Sequence, residues 1–133
     1  MSVQRWNDIF ALLSMVIIAD KRVFKEEVDA FINGVMEIKA LATEDETLVT
    51  RNIAMEWFKA HRDEITSRLE SLQRSELELR HIQKLNDYPH REAVLRTMVA
   101  VSLADNSLHR REQNLIEVAA ANWKLDITRF ISP

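Results

Sequence analysis

A chain of 133 residues is long enough to bury a core of its own as one domain, 1–133, without disulfide or metal staples. One glycine, two prolines and no cysteine argue against a turn-rich β architecture and exclude disulfides, thiolate metal sites and cysteine nucleophiles. A formal net charge of −3 gives no electrostatic reason to expect nucleic acid, whose binding needs a clustered basic face.

In chain order, apolar periodicity predicts a first helix over Val3 to Ala19. Its second half is apolar nearly all round, which marks a helix enclosed by others. The apolar run Ile9 to Ala19 is about half the roughly 20 residues that cross a bilayer, and Met1 to Asp8 does not resemble a secretion signal. A cytoplasmic protein without stable membrane insertion is therefore expected.

A second helix is predicted over Lys25 to Lys39, with Val28, Phe31, Ile32, Val35, Met36 and Ile38 facing the core. Thr43 to Glu46 then reads as a capping box for a helix that carries Leu48, Ile53, Trp57 and Phe58. Ile65, Leu69 and Leu72 continue the stripe to a break near Ser75, and the next helix carries Leu79, Ile82 and Leu85. Pro89 is expected at the first position of the following helix, where its missing N–H costs nothing, and that helix runs to Ala104. A last strong helix covers Arg110 to Trp123, burying Leu115, Ile116, Val118 and Ala119. Lys124 to Pro133 forms a tail whose Leu125, Ile127 and Phe130 can dock on the body. The expected fold is all-α, a single bundle of six to seven helices.

Two segments of this bundle repeat each other. Ala19-Asp20-x-x-Val23-x-x-x-Glu27 returns as Ala104-Asp105-x-x-Leu108-x-x-x-Glu112, with one offset of 85 residues throughout. Each copy follows an apolar run, so the chain contains a duplicated helix–corner–helix unit. An aspartate at a helix C-terminus faces the negative end of the dipole, so Asp20 and Asp105 need donors, which the backbone N–H groups of the turn can supply. Glu27 and Glu112 fall in the first turn of the next helix, where negative charge is favoured. On this reading the four acids brace two helix corners. The other reading is a divalent-cation site at Asp20, Glu27, Asp105 and Glu112. It must find extra oxygens, since calcium takes six to eight ligands and magnesium six.

At these corners the chain resembles the tellurite-resistance TerB family, and also the N-terminal region of the DjlA co-chaperones. That family shows Ala-Asp-Gly-x-apolar-x-x-x-Glu at two helix corners, matched here by Ala19, Asp20, Val23 and Glu27, then Ala104, Asp105, Leu108 and Glu112. The lead-in Tyr88 to Arg96 and the close from Leu115 to Leu125 are also similar, so the resemblance runs from about residue 9 to 125. Lys21 and Asn106 replace the family glycines, and Phe24 and His109 stand where a capping serine is frequent. The resemblance implies a TerB-like helical fold, a stress-response or protein-assembly setting, binding of a divalent metal through the corner acids, and no known enzymatic activity.

Other arrangements are weak. Glu78-x-x-His81 has the spacing of a di-iron carboxylate ligand pair but lacks its second copy. His61, His81, His90 and His109 show no i, i+4 pairing with each other and read as exposed or capping residues. Arg62, Arg68, Arg74 and Arg80 recur every six residues, about 120° apart on one helix, which forms no stripe. Trp6 and Phe130 are the expected protein-contact residues. No catalytic constellation is found, and with the setting that the TerB resemblance implies, the expected function is a non-enzymatic stress-response module that binds a protein partner or its own copies. The alternative is a metal-binding or metal-sensing module.

Overall fold

A computed structural model describes residues 2–18, 25–41, 50–69, 74–104 and 110–131 as seven helices. These are α1 (Ser2–Ile18), α2 (Lys25–Leu41), α3 (Arg51–Leu69), α4 (Arg74–Lys84), α5 (Arg91–Leu103), α6 (Arg110–Trp123) and α7 (Thr128–Ile131). No strand occurs among the described residues. The duplication is legible in the helix boundaries. Ile18 and Leu103 end their helices 85 residues apart, and Lys25 and Arg110 begin the next ones at the same offset.

α1 is the axis of the bundle and touches α2, α3, α4, α5 and α6. Every residue from Asp8 to Ile18 is buried, as its all-round apolar pattern requires. Aromatic rings join it to two neighbours. Phe10 meets Phe31 of α2 at 6.1 Å and Trp57 of α3 at 5.5 Å, while Phe31 meets Phe58 at 6.0 Å. Trp6, expected at a partner surface, is instead buried and packs on Phe10 at 5.7 Å. One helical turn separates the two rings, so the aromatic cluster takes in Trp6 as well.

α2 makes its most extensive contact with α5. Gly34, the chain's single glycine, lies at that contact. A Cβ placed there would stand 2.9 Å from Thr97 Cβ and 2.6 Å from its Oγ1, so the helices approach backbone to side chain. The buried hydroxyls of α5 are satisfied within the helix, Thr97 donating to Ala93 O at 2.9 Å and Ser102 to Val99 O at 2.7 Å. α6 is tied to α4 by Trp123, whose Nε1–H donates to Ile82 O at 2.9 Å in the core.

Several boundaries differ from the pattern-based reading. Thr50 caps the helix bearing Ile53, its Oγ1 accepting from Ile53 N–H at 3.1 Å. The capping box at Thr43 lies outside the described residues. α5 starts at Arg91 behind His90, because Tyr88, Pro89 and His90 form a turn in which Arg91 N–H donates to Tyr88 O. Val118, expected in the core, is 42% exposed, and Ile53 is 48% exposed. Val118 falls outside the face set by Leu115, Ile116, Ala119, Ala120 and Trp123, and Ile53 sits beside the cap rather than over Ala54 and Phe58.

The tail docks as expected. Leu125 N–H donates to Ala120 O at 2.9 Å and Lys124 N–H to Ala121 O at 3.3 Å, the paired bonds that close a helix through a left-handed residue. That residue is Lys124, at φ 58°, where glycine is the usual occupant. Lys124→Gly is expected to raise stability by about 1 kcal/mol, since relief of the left-handed strain outweighs the added unfolded-chain entropy. Urea denaturation checks it, and an unchanged or lower midpoint would contradict the strain. Beyond it, Asp126 Oδ1 accepts from the hydroxyl and N–H of Thr128, bonds that hold its carboxyl below the usual range. Phe130 packs on the core with the Arg96 guanidinium 5.8 Å from its ring centre.

Candidate functional site

The corner acids are only partly in view. Asp20 and Asp105 lie outside the described residues, as do the side chain of Glu112 and both corner apolar residues, Val23 and Leu108. Glu27 sits in the first turn of α2, as its spacing predicts, and is fully buried. A carboxylate there has the favourable end of the helix dipole beneath it. Among the described residues, no group of three or more His, Asp and Glu stands close enough to hold a metal ion.

A second constellation lies elsewhere, in a cleft of about 410 Å³ between α1, α3 and α4. Its floor is apolar, made by Ala11 and Met15 of α1, Ile65 of α3 and Leu77 of α4. Trp57 and His61, one turn apart on α3, form a wall with their rings 4.0 Å apart and within 16° of parallel. Asn7 Oδ1 accepts from Trp57 Nε1–H at 3.2 Å and fixes the indole. Across the cleft stands His81 of α4.

Both imidazoles are held by oxygen acceptors. His61 Nδ1 lies 2.8 Å from Trp57 O, and His81 Nδ1 lies 2.8 Å from Asp8 Oδ1. A carbonyl or carboxylate oxygen cannot donate, so Nδ1 carries the hydrogen in each ring and Nε2 is left as its second polar atom. Asp8 and His81 are only 10% and 20% exposed, so this pair ties α1 to α4 away from bulk water. Glu64, one turn beyond His61, completes the polar rim with Arg68, their charges 3.6 Å apart and largely in solvent. The expectation of exposed or capping histidines therefore fails for His81. The Nδ1 partner of His81 is an aspartate 73 residues away.

The helices of the described residues and the duplicated sequence motif agree with a family comparison. The family model described as tellurite resistance protein TerB matches residues 7–132. The chain belongs to the TerB family. No curated protein and no solved structure matches it significantly. The TerB match takes in α1 from Asn7, both repeated corners and all of α7, so body and tail form one family unit. The α1–α3–α4 cleft lies inside that unit but uses none of the corner residues. Spacing alone offered one signal for it, Trp57, His61 and Glu64 on one face of α3. No helix among the described residues is long and apolar enough to cross a membrane.

Proposed function

We propose that this TerB domain is a non-enzymatic module of a cytoplasmic stress response that works by binding a protein partner, a second copy of itself included. The observation that carries this reading is the TerB match along 7–132, which supports a setting related to tellurite resistance for the whole domain. Ile53, Leu103 and Val118 are the large apolar side chains left exposed on α3, α5 and α6 among the described residues, and are the positions at which a partner contact is sought. Complete burial of Glu27 supports corner acids that brace their helices, with Asp20, Asp105 and Glu112 in the matching roles.

A photo-reactive residue placed in turn at 53, 103 and 118 tests the reading in tellurite-stressed cells. A discrete adduct from at least one position, abolished by Asp at that position with an unchanged melting temperature, is the expected result. No adduct from any of the three would sink it. Amide NMR with calcium, magnesium and zinc separates the metal-sensing alternative. Saturable shifts confined to the corners, Glu27 included, and lost in Asp20→Asn and Asp105→Asn would move the function to cation sensing.

A further inference from the structure

We propose that the α1–α3–α4 cleft binds an organic ammonium ion that carries an apolar body. The inventory of hydrogen-bonding groups decides the class of ligand. With Nδ1–H of both rings directed at Trp57 O and Asp8 Oδ1, the polar atom left on each ring is Nε2, an acceptor when the ring carries a single proton. Glu64 adds a carboxylate on the same side of α3 as His61. Beside the Asn7 amide and the Arg68 guanidinium, the cleft presents these acceptors, which suit a ligand that brings donors. An alkylammonium brings donors that one or two of these groups can accept, with water on the rest.

Charge points the same way. Glu64 faces the cleft, and Asp8 lies directly behind His81. Arg68 is the cation among the lining residues, and it and Glu64, 3.6 Å apart, largely offset each other. The Asp8 carboxylate bonded to His81 then sets the sign, which attracts an ammonium and repels a carboxylate ligand. A bare metal ion is the other electron-pair acceptor to weigh. It fits poorly, because no three His, Asp or Glu among the described residues converge closely enough to ligate one. An ammonium needs only one or two of these acceptors, since water can take its remaining N–H groups. The volume of about 410 Å³ and the floor of Ala11, Met15, Ile65 and Leu77 also ask for a hydrocarbon body, such as an alkyl or aryl group of about six to eight carbons.

The rigidity of the acceptors favours binding. Trp57 is held by Asn7, and His61 is stacked on Trp57, so ring orientation is set before a ligand arrives. His81 is fixed by a partner that is itself buried. Little conformational freedom is lost when the ligand enters.

Hexylamine titrated into the full chain at pH 8, above the ordinary histidine range, tests the proposal by NMR of the imidazole C–H resonances. Saturable shifts at both His61 and His81 are expected, with affinity about tenfold or more above that of hexanol and hexanoate. Glu64→Gln and His61→Phe each remove one acceptor at an accessible position, and each is expected to weaken binding about tenfold at an unchanged melting temperature. His81→Phe repeats the test from α4 if it remains folded. Equal binding of hexanol would reduce the cleft to an apolar groove, and tighter binding of hexanoate would invert its polarity. Zinc alone shifting both rings, or no saturable shift at millimolar hexylamine, would likewise overturn the assignment.

Discussion

Phe31→Ala is expected to lower the free energy of unfolding by about 3–5 kcal/mol, the usual cost of deleting a fully buried aromatic ring. Phe31 has no exposed surface, and its ring meets Phe10 on α1 and Phe58 on α3. Alanine would remove the only side chain of α2 shown in ring contact with both helices and leave a hole that rigid neighbours fill poorly. Domains of this size are stable by about 5–15 kcal/mol, so the variant should stand near the edge of folding. Urea denaturation measures it, with Phe31→Leu as the control that keeps most of the volume. A loss below about 1 kcal/mol for the alanine variant would show that the aromatic cluster is not where the helices are joined.

Gly34→Ala is the second large effect, and its sign runs against local propensity. Alanine for glycine inside a helix ordinarily gains about 1 kcal/mol. Here the added methyl meets Thr97 on α5, with Cβ at 2.9 Å and Oγ1 at 2.6 Å. Rotating Thr97 moves Oγ1 and Cγ2 but leaves Cβ in place, and it breaks the buried bond from Oγ1–H to Ala93 O. The helices must part, and a net loss of about 1–3 kcal/mol follows from overpacking of the tightest interface in the fold. Thr97→Ala in the same chain should recover part of that loss. The double-mutant coupling is expected at about 1–2 kcal/mol in the favourable direction. Additive effects, or a stabilised Gly34→Ala, would show that α2 and α5 are not in close contact there.

The helical class and most of the core were legible because burial in helices leaves a periodic trace. The patterns of α1, α2 and α6 place their boundaries within two residues of those observed, and the repeated Ala-Asp-x-x-apolar-x-x-x-Glu motif marks where two pairs of helices turn. Errors arose where periodicity is a poor guide. Val118 is apolar but stands off the buried face of its helix, and Trp6 is a terminal aromatic with a cluster to enter. Pro89 suits a first helical turn, yet the turn through Tyr88 and His90 starts α5 two residues later.

The candidate cleft was hidden for a different reason. Trp57, His61 and Glu64 share one helical face, but nothing local distinguishes them from a solvated edge of α3. Asp8 becomes the partner of His81 only when α4 packs on α1, across 73 residues of sequence. The sequence by itself determined the all-helical class, the duplicated corner and the TerB family, because periodicity and short motifs are properties of neighbouring residues. Tertiary structure alone decided which nitrogen each imidazole keeps for a ligand, why the single glycine must be a glycine, and which apolar residues face water. Those depend on the distance between helices, and that distance is set by packing rather than by the order of residues along any one of them.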